Sequence, residues 1–209
     1  QTKDDYDHEI QITRPTELLA FFLNFIPFAD LLFPHKLLKY EIIKHSFRKF
    51  SPVIAITAPD SEKNKIVWNS RFYVFLWLVI IAYSFWIGSI LPVIYILLPN
   101  YYGKPIQFFV NVTQHLGAPF DKKDHRESTY SVKINPIFAF LYWDMQYHLE
   151  HHMFPTIPSY NLKKLNHLIK DQIPKPFPSL FSFYWNVMPT VIKQATNPEA
   201  YYKTNIPQN

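Results

Sequence analysis

Residues 142–155 read YWDMQYHLEHHMFP, and this stretch holds three of the nine histidines of the chain. In a helix, with ~3.6 residues per turn, His148, His151 and His152 stand at positions i, i+3 and i+4 and share one face. Three imidazoles on one face repel one another when protonated, whereas neutral imidazole is the commonest metal ligand. The HxxHH pattern therefore predicts a metal-binding helix, which ends near Pro155 because proline cannot continue a helix.

The residues around the histidines and the composition of the chain exclude two common kinds of metal site. The helices of zinc proteases carry HExxH or HxxEH, and the order here, His-Leu-Glu-His-His, meets neither pattern. The chain has 209 residues and no cysteine, which excludes disulfides and thiolate ligands. Imidazole is thus the ligand type that the sequence predicts.

Composition favours a membrane protein. Aromatic residues make up 18% of the chain, with 19 Phe and 14 Tyr, which is high for a soluble domain. The net charge of +5 raises the possibility of nucleic-acid binding. The basic residues, however, flank apolar segments and form no dense stripe, so we expect contact with a membrane surface and not with nucleic acid.

A long uncharged run predicts the membrane-spanning part. From Phe72 to Gly103 there is no Asp, Glu, Lys or Arg, a run of 32 residues, whereas one crossing needs ~20. Gly88 and the following residues favour a turn near the middle. We predict two membrane helices, roughly 72–88 and 91–115, that form a hairpin; one strongly tilted span is the alternative. Basic residues flank the hairpin, so the positive-inside rule places both chain ends in the cytoplasm.

The whole chain is expected to be one all-α, integral membrane domain. The chain begins with a polar stretch, which is followed by apolar segments too short to span a bilayer. The uncharged centre comes next, and the part after it is polar again. The predicted parts of the single domain 1–209 are the polar start with interfacial helices (1–71), the transmembrane hairpin (72–115) and a cytoplasmic helical cap carrying the histidine box (116–209).

The motif at residues 147–155 closely resembles the third histidine box of membrane fatty acid desaturases, and so does the sequel from Pro158 to Leu165. The segment Thr113-Gln114-His115-Leu116-Gly117 resembles the stretch that carries a histidine at the end of the fourth membrane helix in these enzymes. Asn135-Pro136, before the box, also fits. The similarity runs from the start of the chain to about residue 179.

The resemblance implies an activity and its cofactors. Desaturases of this type hold two non-haem iron ions with three histidine boxes on the cytoplasmic side of a multi-pass membrane protein. They use O2 to desaturate a lipid-linked acyl chain, as an acyl lipid or acyl-CoA, with electrons from a donor such as cytochrome b5 or ferredoxin. Histidine is also a ligand that suits iron.

Apart from residues 148–152, which form the HxxHH box already described, the 209 residues contain no HxxxH or HxxxxH box and no second HxxHH. We therefore expect the chain to be the C-terminal part of a desaturase, beginning mid-protein. We expect it to bind at most one metal ion weakly and to be inactive alone.

The resemblance also implies a set of site residues. The metal ligands are His115, His148, His151 and His152. Asn111, four residues before His115, matches an Asn-x-x-x-His pair that adds a water-mediated ligand. A second reading of His115 is that it caps the end of an apolar helix. Asp144 departs from the family, whose members often have asparagine there; as a carboxylate one helical turn before His148, it is expected to accept a hydrogen bond from that ring. His125 is expected to be structural, although it falls near enough to the site to support a metal ligand.

Three other functions stay open at this point. A lipid or alkyl hydroxylase would use the same scaffold, and a gain of one oxygen in the product would distinguish it from the loss of two hydrogens. A zinc-dependent membrane hydrolase would contain zinc and consume no O2. A non-catalytic membrane protein would keep only the fold and lack further histidine boxes.

Overall fold

The structure, a computed structural model, describes residues 18–32, 38–119 and 121–207. Within these ranges the chain is helical and contains no β-strand, which confirms the all-α prediction. The polar start predicted over residues 1–14 lies outside the described residues. The α-helices are α1 (Leu18–Leu23), α2 (Leu38–Ser46), α3 (Pro52–Thr57), α4 (Asp60–Trp86), α5 (Pro99–Tyr102), α6 (Lys104–Asn111), α7 (His125–Ser128), α8 (Pro136–Leu141), α9 (His148–Met153), α10 (Ser159–Ile169) and α11 (Leu180–Gln194). Short 3₁₀ or π segments cover Ala29–Leu32, Val93–Leu97, Val112–Gln114 and Met145–Tyr147.

The described chain divides into two compact units. The histidine unit comprises Gln1–Phe22, as far as it is described, and Ile106–Asn209, and the long-helix unit comprises Leu23–Pro105. The three-part division of the domain predicted from the sequence follows membrane topology and stays a prediction.

The long-helix unit is built on α4, a helix of 27 residues. Asp60 and Glu62 lie in its first turn, where acidic side chains stabilise the positive end of the helix dipole. From Phe72 onward its side chains are apolar or uncharged, and most of them are exposed. Among the described residues, α4 is the one helix that is long and apolar enough to cross a bilayer.

The second membrane helix, predicted over residues 91–115, is not continuous. The chain there forms the π segment Val93–Leu97, then α5, α6 and a 3₁₀ turn. Pro99 begins α5, and Pro105 follows the first residue of α6; proline has no N–H to donate and disrupts the preceding turn. The hairpin is therefore not confirmed, and one candidate crossing, α4, is what the structure supports.

Helix α2 packs along α4. Arg71 Nε donates a hydrogen bond to the carbonyl oxygen of Ser46 over 3.1 Å, which ties the end of α2 to α4. Near the start of α2, Lys39 Nζ donates to the carbonyl oxygen of Leu97 and lies 4.4 Å from the centre of the Tyr101 ring. A lysine in this setting is stabilised by an oxygen acceptor and an aromatic face together.

In the histidine unit, α11 supplies much of the core. Phe183, Val187 and Val191 on one face of α11 are fully buried. Val187 and Val191 pack against the turn at Gly117, which has a φ of +69°. A Cβ atom at Gly117 would lie 3.0 Å from Val187 Cγ1, so only glycine fits here without a shift. This turn follows His115 directly and fixes where that side chain leaves the backbone.

Candidate metal centre

Three histidines from two distant parts of the chain meet in the histidine unit. His115 follows the 3₁₀ turn Val112–Gln114, and His148 and His152 lie one turn apart on α9. Their Nε2 atoms are separated by 3.1 Å (His115 to His148), 3.2 Å (His115 to His152) and 3.0 Å (His148 to His152). Among the described residues these three form the group whose ligand atoms converge closely enough to hold one metal ion.

Local backbone geometry sets the position of α9. Trp143 and Asp144 have φ values of 57° and 56°, in the left-handed region, so the chain breaks after α8. A 3₁₀ turn then leads into α9 at His148. The helix ends at Met153, two residues before Pro155, as the sequence predicts. Leu149 and Glu150, between the two convergent histidines of α9 in sequence, are both buried, which fixes the rotation of α9.

The protonation of His115 follows from its partner. His115 Nδ1 lies 2.8 Å from the carbonyl oxygen of Ser128, so Nδ1 carries the proton and donates it. A neutral ring protonated at Nδ1 has a lone pair on Nε2, the atom that faces His148 and His152. The Ser128 carbonyl thus orients His115 for metal binding, as carbonyl partners of metal-bound histidines do.

The electrostatics of the cluster favour neutral imidazoles. Burial, and then the neighbouring histidines, lower the pKa of His148 to about 2. His148 Nδ1 is buried and has no hydrogen-bond partner among the described residues. Both facts disfavour an imidazolium at this position, so the cluster offers lone pairs and not positive charge.

The spacing of the three Nε2 atoms fits one metal ion. Because His115 Nε2 can only accept, at most two protons are available for the three short N···N contacts, and one contact would stay repulsive. An ion bound to three imidazoles at about 2.0–2.1 Å each would bring the nitrogens to about 2.8–3.4 Å from one another, in octahedral or tetrahedral geometry. The observed separations of 3.0–3.2 Å fall within this range.

His151 is a neighbour of the cluster but not part of it. Its ring centre lies 5.8 Å from that of His148 and 6.1 Å from that of His152. Its ligand atoms do not join the convergent group. Of the four ligands predicted from the sequence, three converge in the structure, and His151 lies next to them without joining the group.

Of the two residues predicted to assist the ligands, Asp144 does not form its predicted contact, and the role of Asn111 is not tested. Asp144 Oδ1 accepts from Gln146 Nε2 over 3.1 Å, and the predicted contact with His148 is not formed. The cause is the left-handed backbone at Asp144, which interrupts the helix that would have put it one turn before His148. Asn111 is exposed at the end of α6, one turn before His115, and its water-mediated role stays a prediction.

A buried carboxylate behind the cluster escaped sequence reasoning. Glu150 is 0% exposed and lies on α9 between His148 and His152 in sequence. Its Oε1 accepts from Asn166 Nδ2 on α10, and its Oε2 lies 3.4 Å from Ser131 Oγ. Burial raises the pKa of Glu150, and these hydrogen bonds act in the opposite direction. Its burial could not be read from the sequence, because its partners Asn166 and Ser131 are 16 and 19 residues away along the chain.

His125, at the start of α7, also lies close to the cluster. Its ring stacks on that of His152, with centres 5.2 Å apart and an angle of 23° between the planes. It does not belong to the convergent group. It packs against His152, and whether its role is structural or that of a residue that supports a metal ligand stays a prediction.

Comparison with known proteins gives one match. The family model described as fatty acid desaturase matches residues 1–184. No curated protein and no solved structure is significantly similar to the chain. The matched range includes the three convergent histidines and His151, and it ends within α11.

Proposed function

Because the chain belongs to the fatty acid desaturase family, we propose that its histidine cluster is part of an iron centre for O2-dependent desaturation of a lipid-linked acyl chain. The observation that carries the proposal is the convergence of three Nε2 atoms within 3.0–3.2 Å of one another. Neutral imidazoles of this kind suit iron. Iron bound there would supply the oxidation of an unactivated C–H bond, which acidic and basic side chains cannot carry out.

The division of the four histidines supports a centre with two irons. His115, His148 and His152 would hold one ion. His151 lies next to them with its ligand atoms outside the group, so we assign it to a second iron. Further ligands for that ion would come from the two histidine boxes that the 209 residues do not contain. Asn111 is proposed to add a water-mediated contact to the first ion.

Other residues of the chain would keep the centre ordered and dry. The Ser128 carbonyl holds the proton of His115 at Nδ1 and aims Nε2 at the ion. Leu116 and Leu149, each adjacent to a ligand, are fully buried and exclude water from the backs of the ligating segments. Low dielectric around a ligand strengthens its interaction with a cation.

The family is membrane-associated, and α4 is long and apolar enough to cross a bilayer. We propose a multi-pass protein with the metal centre on the cytoplasmic side, an acyl lipid or acyl-CoA as substrate, and an electron donor such as cytochrome b5 or ferredoxin. The basic residues before α4, including Arg48 and Lys49, support the cytoplasmic assignment of that end.

The test begins with metal binding. Residues 1–209, purified from membranes and loaded anaerobically with Fe²⁺, are expected to bind at most one ion per chain, weakly, as measured by elemental analysis. Co-expression with a polypeptide that carries the first two boxes is expected to yield lipids two hydrogens lighter by mass spectrometry. Products that gain one oxygen would indicate a hydroxylase instead. Zinc without iron, and no O2 consumption, would overturn the proposal in favour of a hydrolase.

A further inference from the structure

The end of the chain forms a segment that the family match does not include. After α11 ends at Gln194 and the turn at residues 195–196, residues 197–207, here called the C-terminal strap, run back over the histidine unit. The match to the desaturase family stops at residue 184. In the strap, Tyr202, Thr204 and Ile206 are half-buried and alternate with exposed residues, as in an extended segment with one face on a surface.

Hydrogen bonds join the strap to two segments next to the metal ligands. The backbone N–H of Tyr202 donates to the carbonyl oxygen of Gly117 over 2.8 Å. The hydroxyl of Thr204 donates to the carbonyl oxygen of Arg126 over 3.1 Å. At the base of the strap, Gln194 Nε2 donates to the carbonyl oxygen of Ala200 over 2.7 Å and fixes the turn after α11.

The segments that the strap contacts are the ones that orient His115. Gly117 lies two residues after His115. Arg126 lies in α7, between His125, whose ring stacks on His152, and Ser128, whose carbonyl accepts from His115 Nδ1. The strap therefore links the turn that carries His115 to the helix that holds its ring.

Ring packing supports the same link. The Tyr202 ring contacts those of Tyr130 and Phe177, with centres 6.0 and 5.9 Å apart. Tyr130 is buried, and its backbone N–H donates to the carbonyl oxygen of Gln114, the residue before His115. Tyr202 thus packs on a residue that holds the other side of the His115 turn.

We propose that the C-terminal strap positions His115 for metal binding, with Tyr202 and Thr204 as the positioning residues. The inference rests on the proposed function in that the cluster must bind metal. Neither side chain touches the cluster. The Tyr202 ring acts through Tyr130, whose N–H is bonded to Gln114, and the Thr204 hydroxyl acts through Arg126 in α7. Loss of the strap contacts should let His115 move away from His148 and His152, whose positions are set by α9 itself.

The test measures metal affinity of the full chain by Co²⁺ titration, with the ligand-field absorption of bound Co²⁺ as the readout of geometry. Thr204→Val removes one hydroxyl at nearly constant shape, and Tyr202→Ala removes the ring. Each is expected to weaken Co²⁺ binding by about 10-fold, the lower end of the loss seen when partners of metal ligands are removed. Thr204→Ser keeps the hydroxyl and is expected to bind as the unmodified chain does.

The matched control is Thr196→Val. The Thr196 hydroxyl also donates to a backbone carbonyl, that of Lys193, over 3.2 Å, but it lies at the exposed end of α11. This variant should leave the affinity unchanged. Unaltered Co²⁺ affinity and absorption in Thr204→Val and Tyr202→Ala would overturn the inference.

The two proposals fail in different ways. If the unmodified chain binds no Co²⁺ or Fe²⁺, the proposed function fails. If it binds but the strap variants bind equally well, the strap inference alone fails. Circular dichroism reports whether a variant keeps its helices; should Tyr202→Ala unfold, Thr204→Val and its rescue by serine decide the result.

Discussion

Glu150 gives the sharpest test of how α9 is held. The side chain is 0% exposed and accepts hydrogen bonds from Asn166 on α10 and from Ser131. Glu150→Ala would leave the buried Ser131 hydroxyl and the half-buried Asn166 amide without their acceptor, and it would open a cavity. Each buried polar group left without a partner costs about 1–3 kcal/mol.

Two features of the site reduce the loss of unfolding free energy expected for Glu150→Ala. The contact between Ser131 Oγ and Glu150 Oε2 is long, 3.4 Å, so its loss falls at the low end of that range. Burial also raises the pKa of Glu150, which means that the carboxyl group itself is costly to bury and that its removal returns part of the loss. We therefore expect Glu150→Ala to lower the free energy of unfolding by about 2 kcal/mol.

The assay is thermal unfolding of the detergent-solubilised chain, followed by circular dichroism without metal. For a chain of this size the expected loss corresponds to a decrease of about 4–8 °C in Tm. Glu150→Gln keeps an oxygen acceptor of the same shape and should cost less than Glu150→Ala. Glu127→Ala serves as the exposed control, since its pair with Lys122, at 3.4 Å, is solvent-screened. Equal Tm values for Glu150→Ala and Glu127→Ala would refute the reasoning.

Three further predictions concern the ligands, the turn beside them and the topology. His115→Ala should abolish Co²⁺ binding by the chain while His151→Ala leaves it intact, because only the former belongs to the convergent group; equal losses in titration would contradict this assignment. Gly117→Ala should lower the free energy of unfolding by about 1–3 kcal/mol, since alanine is strained at a φ of +69° and its Cβ meets Val187 at 3.0 Å; an unchanged Tm would argue against it. A reporter fused after Asn209 should be found in the cytoplasm, and its appearance on the opposite side of the membrane would rule out the proposed orientation.

The sequence alone predicts the part of the site whose residues are close together along the chain. His148 and His152 are four residues apart, so any regular helix over the box brings their side chains together. The end of α9 before Pro155 follows from the same local chemistry. His115 is different: 33 residues separate it from His148, and only its resemblance to a known motif connects it to the box.

What the sequence leaves open depends on backbone breaks and on tertiary contacts. The left-handed Asp144 interrupts the helix on which its contact with His148 was predicted, and Asp is among the few residues that tolerate this conformation. In the uncharged run, prolines divide the second predicted span into short segments, although hydropathy alone favours a helix. Nothing in the sequence around Glu150 distinguishes it from an exposed helix residue. Its buried hydrogen bonds are to Ser131 and Asn166, which are distant in sequence.

The geometry of the cluster also separates two requirements for metal binding. Helix α9 fixes the spacing of His148 and His152, and a short helix keeps that spacing wherever it packs. The third nitrogen depends on the Ser128 carbonyl and on the turn at Gly117, both away from the box. A change in either segment therefore acts on affinity through His115 and leaves the motif intact. For this reason the HxxHH pattern predicts the presence of a metal site more securely than it predicts how tightly the site binds.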